Sequence, residues 1–362
     1  MTRARVWPIA AKTWCCLLLS GITAGCGPAP ASLSSVGWTE LPPLALAPHP
    51  NERWLRGRRI GLDPGHGAET DPAKQFEADV NLAVALELTR MLERAGAVVL
   101  LTRREDEAVP LERRAPLLVE QGAEVFISIH HNAGGTTANY TSTWYHQDLD
   151  SRPASLDLAR YVQQRVMEAL RTPASVPTPI LSDRLIYERS GFAVLRTASV
   201  PAILCEASFY THPEEAERLR SREYNQREAY GYYLGLVDYF QGGTPRVRLE
   251  ACEAKGGQTT AVFDLDDGLR ARGGWGADEH RVLSSTISCK VGGRSLNFAY
   301  DRATSRLRLP LSTQDLGQEL EIRFENIYKH SNFPSRFRWV EEGSRPPESG
   351  SSLVLEPVLE GS

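Results

Sequence analysis

The chain has 362 residues, of which 41% are apolar and 24% charged. These are ordinary globular proportions that exclude collagen, coiled coil and wholesale disorder and suggest two domains. Lysine and arginine number 41 against 45 aspartates and glutamates, for a net charge of −4, and no basic stripe stands out, so nucleic acid is not an expected partner. Six cysteines are too few for a disulfide scaffold at this length.

Arg3, Arg5 and Lys12 precede an apolar run through Trp14, Leu17, Leu18, Leu19 and Ile22. The run falls short of the ~20 residues that span a bilayer, so residues 1–26 read as an export signal. It ends in Thr23-Ala24-Gly25-Cys26, and small residues directly before a cysteine resemble a bacterial lipobox. That resemblance implies a lipid anchor through Cys26. Gly27 stands where an inner-membrane retention signal would place aspartate, which directs the expectation to the outer membrane and the periplasm. Residues 27–50 carry Pro28, Pro30, Pro42, Pro43, Pro48 and Pro50 and predict an extended tether.

From 51 to 242 apolar runs alternate with helical periodicity. Ile60-Gly61-Leu62-Asp63 predicts a buried strand, Ala78 to Ala95 a helix closed by Gly96, and Val98 to Thr102 a second strand. Leu111 to Gln121 follows as a helix in which Pro116 predicts a kink. Val125 to Ile129 is apolar almost throughout, as in a strand covered on both faces. Thr143 to Tyr145 predicts a strand, Leu156 to Leu170 a helix, Phe192 to Leu195 and Ala202 to Cys205 short strands, and Glu214 to Phe240 a helix. The fold class expected is α/β, a mostly parallel twisted sheet flanked by helices.

Past Gly242-Gly243 the texture changes. Val247, Leu249 and Ala251 alternate with charged residues, and Leu320, Ile322 and Phe324 do the same. Period-two alternation without long helices predicts a small C-terminal all-β sandwich over 244–342. Cys252 and Cys289 fall on two of its strands, and an exported chain makes a disulfide between them an expectation. Residues 343–362 read as a disordered tail.

The chemistry gathers at strand ends. Asp63-Pro64-Gly65-His66-Gly67 closes the first strand, His130-His131-Asn132 the third, and Glu206 the strand from Ala202. In an open α/β sheet ligands bind outside the carboxyl ends of the strands, so topology brings positions 66, 130 and 206 together. Two imidazoles and a carboxylate around an open position is a way of holding catalytic zinc. Neighbouring side chains on a strand point to opposite faces. His130 and His131 therefore do not both reach one metal, and Cys205 diverges from Glu206. A cysteine nucleophile at Cys205 would need Glu206 to point away.

These residues resemble a known family, the zinc-dependent N-acetylmuramoyl-L-alanine amidases (amidase type 3) of bacterial cell-wall turnover. The matching text is Ile60 to Gly67, Glu77-Ala78-Asp79-Val80-Asn81-Leu82, Leu101-Thr102-Arg103, Ile127-Ser128-Ile129-His130, and Pro201 to Glu206 with Phe209 behind it. The motifs keep the family's order across roughly residues 58 to 240. The resemblance implies His66, Glu77 and His130 as zinc ligands and Glu206 as the catalytic carboxylate. It also implies peptidoglycan as substrate, cut between N-acetylmuramic acid and L-alanine. Glu69 is a rival to Glu77 because the loop from His66 is short, and His131 stands where the family usually has alanine. Two other functions fit the same residues: a zinc peptidase cutting within the stem peptide, and a non-catalytic wall-binding protein. The sandwich resembles none of the family's wall-binding repeats, and its regulatory or wall partner is not read from sequence.

Overall fold

The computed structural model describes residues 47–147, 151–172, 179–255, 258–270, 281–315, 317–341 and 353–357. The expected export signal, Cys26 and most of the proline-rich tether lie outside the described residues. No helix among them is long and apolar enough to cross a membrane.

The first body runs β1 (Arg59–Pro64), α1 (Pro72–Arg94), β2 (Val98–Leu101), α2 (Leu111–Glu120), β3 (Val125–Asn132), β4 (Ser142–Tyr145), α3 (Pro153–Leu170), β5 (Ile180–Ser182), α4 (Ala193–Arg196), β6 (Ala202–Phe209), α5 (Pro213–Leu219) and α6 (Arg222–Gln241). Its six strands lie in the order β2-β1-β3-β6-β4-β5. The first four are mutually parallel, while β4 runs antiparallel to β6 and carries β5 with it. The expected α/β sheet is therefore present, with one reversed edge.

Three local departures have local causes. Helix α1 starts well before Ala78, because Asp71 caps the Ala73 amide and Pro72 occupies the first turn, where its missing N–H costs nothing. Phe192 to Leu195, expected as a strand, is the turn α4, since four apolar residues cannot display a period. The long helix after Glu214 breaks at Arg220-Ser221 into α5 and α6.

Strand alternation sorts the core into two layers. Leu62, Ile127, Ile129, Ile203 and Cys205 pack toward α1, α3 and α6. Phe126, Trp144, Ala202 and Leu204 pack on the opposite side against Ala115, Leu118 and Leu195 of the α2/α4 layer. Further along that second face the sheet carries Asp63, Ser128, His130 and Glu206, polar residues in place of apolar ones.

The second body is the expected β-sandwich. One sheet is β11 (Ala299–Asp301), β12 (Arg306–Leu311), β8 (Gln258–Asp266) and β7 (Arg246–Lys255). The other is β10 (Arg294–Ser295), β9 (Ser288–Val291), β13 (Glu319–Arg323), β14 (Ser335–Glu341) and β15 (Leu353–Pro357). Phe263, Leu307 and Leu309 from the first meet Cys289, Leu320, Ile322 and Phe337 from the second. Two expectations are corrected here. Cys252 is exposed on one sheet and Cys289 is buried in the core of the other, so they form no disulfide. The tail is not structureless throughout, because 353–357 pairs antiparallel along β14, whose open edge offers unpaired backbone groups.

Gly242-Gly243, read in sequence as a boundary, is a tightly packed junction. Asn326 donates to the Gly242 carbonyl at 2.7 Å, and His330 Nδ1 bonds the Gly243 carbonyl at 2.8 Å. A Cβ at position 242 would stand 2.2 Å from the His330 ring, so glycine is what admits that ring. His330 Nε2 meets the Tyr161 hydroxyl at 3.0 Å, and the Ser331 amide donates to Asp157 at 2.8 Å. Arg58 and Arg246 share Glu124 from the two sides. A cleft of about 480 Å³ lined by Glu124, Pro201, Thr244 and Phe333 opens at this junction, at the end of the sheet away from His130.

Candidate active site

His66 is presented by a turn that closes β1. It sits at φ 61, a left-handed conformation that a β-substituted residue adopts at some cost. Its neighbours make the turn possible by lacking side chains. A Cβ at position 65 would lie 2.2 Å from the His130 ring, and one at 67 would lie 2.1 Å from the Glu107 carbonyl.

Two buried arginines tie the turn down. Arg103 donates to the carbonyls of Pro64, Gly65 and Ala78 at 2.7–2.9 Å. Arg114 bonds the Asp63 carboxylate at 2.8 Å and the His66 carbonyl at 2.8 Å. Asp63 also accepts from Thr102 at 2.6 Å and from Ser128 at 2.7 Å. Removing one partner of a buried pair such as Asp63–Arg114 strands the other charge, at about 3–5 kcal/mol.

Glu77, on the second turn of α1, lies between two imidazoles. Its Oε2 is 3.1 Å from His66 Nε2 and its Oε1 is 3.0 Å from His130 Nδ1. One donor atom from each of His66, Glu77 and His130 falls within 4.8 Å of the others. Glu69 plays a different part from the one its position in sequence allows: it takes the far nitrogen of His66, Nδ1, at 2.9 Å. Asp79 bonds Gln75 at the surface, and it is Asn81, not Asp79, that approaches Glu77.

The electrostatics follow from this packing. Burial works against the charge on Glu77, but His130 and His66 outweigh it and hold the carboxyl far below the usual range. Burial also opposes charge on His66, yet Glu77 and Glu69 raise its pKa. At His130 burial prevails over Glu77, and the pKa falls.

Glu206 stands in register with His130 on the adjacent strand β6. Burial first, then the nearby Glu77, pushes its carboxyl well above the usual range. Its Oε2 is buried with no hydrogen-bond partner among the described residues. Ser142, paired with Glu206 across β4–β6, and Ser208, two residues on, share its face, and both hydroxyls are likewise unpaired. A buried carboxyl with nothing to bond is costly unless a water, ion or substrate meets it.

The opposite strand faces behave as alternation requires. His131 turns into the α1/α6 layer, bonding Asn81 at 2.8 Å and Glu228 at 2.9 Å. Cys205 is buried in the core on the face opposite Glu206, and burial pushes its thiol up to about 12. Sequence reasoning missed Arg114, Glu228, Ser142 and Ser208, all polar residues whose local sequence looks like ordinary helix or strand.

The donor set suits a catalytic metal. Two histidines and a carboxylate converge, one histidine is oriented by a second acid, and a buried acid without a partner stands alongside. The class this defines is an α/β protein with a three-residue cluster able to hold a metal ion at the carboxyl edge of its sheet. A family profile described as N-acetylmuramoyl-L-alanine amidase matches residues 60–238. The uncharacterized protein YqiI of Bacillus subtilis is 32% identical over 203 residues, which cover 55% of this chain and 91% of that protein. The N-acetylmuramoyl-L-alanine amidase AmiC of Escherichia coli is 27% identical over 249 residues, 58% of this chain and 59% of AmiC. A solved N-acetylmuramoyl-L-alanine amidase from Clostridium difficile 630 is 29% identical with a TM-score of 0.44, covering 51% of this chain and 97% of that one. The chain belongs to the N-acetylmuramoyl-L-alanine amidase family.

Proposed function

We propose that this chain hydrolyses the amide between N-acetylmuramic acid and L-alanine in peptidoglycan, with zinc held by His66, Glu77 and His130. The observation that carries this reading is the buried Glu206 Oε2, without a partner among the described residues, on the same sheet face as His130 of the three-residue cluster. When bound, zinc supplies Lewis acidity at neutral pH. Glu206 takes the proton from the attacking water and returns it to the leaving alanine amine. Glu69 fixes the ring of His66 through Nδ1, leaving Nε2 for the ligand role. Arg103 and Arg114 hold the turn so that the ring does not swing. Ser142 and Ser208 offer hydroxyls on the substrate side of the same face. No serine or cysteine is acylated in this scheme.

Cell-wall relatives support action outside the cytoplasm, and we place the chain in the periplasm, anchored to the outer membrane through Cys26. The sandwich then contributes localisation or partner binding, because every candidate catalytic residue lies before Gly242. Digestion of purified muropeptides, with zinc content measured on the same sample, tests the activity. The expected products are a stem peptide with a free L-alanine amine and an intact lactyl-muramic acid. Cleavage inside the stem peptide would identify a peptidase instead, and no cleavage by a zinc-loaded sample would leave a binding protein.

A further inference from the structure

We propose that Glu228 and His131 form a positioning brace that acts through Asn81 to hold Glu77 in place for the metal, an inference that rests on the zinc reading above. The four side chains are linked in order, and the link crosses from α6 through β3 to α1. Glu228 Oε2 is 2.9 Å from His131 Nε2, and His131 Nδ1 is 2.8 Å from Asn81 Oδ1. Asn81 Nδ2 donates to the Gly65 carbonyl at 3.3 Å and lies 3.5 Å from Glu77 Oε1. The backbone amide of His131 donates to the same Glu77 oxygen at 3.3 Å.

Direction is what the brace supplies. The amide oxygen of Asn81 can only accept, so His131 Nδ1 must donate to it. That contact keeps the Asn81 NH₂ turned toward two acceptors, Gly65 and Glu77. Without His131, the amide is free to flip and aim its oxygen at the carboxylate, where two acceptors repel. Glu228 in turn fixes the imidazole from the other side. The arrangement is costly on its own terms: His131 and Glu228 are both 0% exposed in their side chains, and Glu228 Oε1 is buried with no partner among the described residues. A hydrophobic pair would fill the same space more cheaply. Outer groups that orient metal ligands typically matter 10–100-fold in metal affinity.

The test uses the full chain stripped of metal, with zinc affinity measured by chelator competition and unfolding measured in denaturant. Two double variants share Glu228→Gln, which avoids a stranded charge. His131→Leu removes the donor to Asn81, and His131→Asn keeps a donor near the Nδ1 position. The leucine variant should bind zinc about 10–100-fold more weakly than wild type. The asparagine variant should recover most of that loss, although the two metal-free proteins are similarly stable. Wild-type zinc affinity in the leucine variant overturns the brace, as does equal loss in both variants. If the leucine variant does not fold, Asn81→Ala carries the test, because it cuts the link next to Glu77. Weaker zinc binding supports the brace, and unchanged binding overturns it. A wild-type chain that binds no zinc fails the metal reading itself, before any variant is compared.

Discussion

Two polar clusters sit at opposite ends of the same sheet, one around the buried His330 and one around the half-buried His66 and His130, and they differ in how fully their atoms are paired. At the domain junction, His330 uses both ring nitrogens. Asn326 there donates to two carbonyls and accepts from two amides. At the carboxyl edge, Glu206 Oε2 and the Ser142 and Ser208 hydroxyls are buried with no partner among the described residues, and Glu77 lies between two imidazoles. A cluster saturated at its centre, as at His330 and Asn326, joins parts of a protein. An unsaturated one, retained despite its cost, is waiting for something to bind.

The largest effect should come from closing the unsaturated end. Glu206→Gln keeps the shape but cannot accept a proton, so kcat should fall by about 10²–10⁴-fold while zinc content stays at the wild-type level. Steady-state kinetics with metal analysis on one preparation checks this. Loss of zinc would make Glu206 a ligand, and near-normal kcat would assign the base elsewhere. His131 is not that alternative, because it faces the other side of the sheet.

Gly65→Ala is the next test, and it works by sterics alone. The new methyl group would occupy the space of the His130 ring, 2.2 Å away, and displace it from Glu77. Zinc affinity should drop by about 10–100-fold. Chelator competition reads it, and unaltered affinity would show that the turn gives way more easily than its two arginine clamps suggest.

The third test leaves the reaction and the metal untouched and reads stability alone, at Asp157 in the junction. Burial raises the Asp157 pKa from an ordinary 3.8 to about 6, despite its bond from Ser331. The folded chain then keeps a proton that the unfolded chain releases. This group's contribution to stability therefore declines as pH rises from about 4 to about 6, by at most about 3 kcal/mol. Asp157→Asn removes the penalty and keeps an acceptor for Ser331. The variant should melt higher than wild type at pH 7.5 and equally at pH 4. The same difference at both pH values would mean that Asp157 does not titrate in this way.

The sequence already contained much of the site, for a geometric reason. His66, His130 and Glu206 sit at strand ends, where parallel topology converges whatever the intervening loops do. Alternation along β3 and β6 separated His130 from His131 and Glu206 from Cys205 before any coordinates. Glu77 and Glu69 could not be separated by spacing, because both stand within reach of His66 and only packing decides which nitrogen each receives. Glu228 was invisible because it lies 97 positions from His131 and reads as one more acid on a helix. Gly242-Gly243 reads in sequence as a boundary, but the packing around it is not legible for a similar reason. A Gly-Gly step says nothing of the distant imidazole that fills the space it leaves.

The first described residues settle how the catalytic body is approached. The His49 amide bonds the Tyr233 hydroxyl and Asn51 bonds Gln241, so the chain enters beside the last turns of α6. The sandwich leaves from that same helix end. Both connections therefore belong to one pole, and the cluster of His66, Glu77 and His130 belongs to the other. A polymer mesh is not swallowed by its hydrolase; it is met as a surface. With both connections gathered at the opposite pole, this body leaves the edge that carries His66, Glu77 and His130 clear of them and open to such a surface.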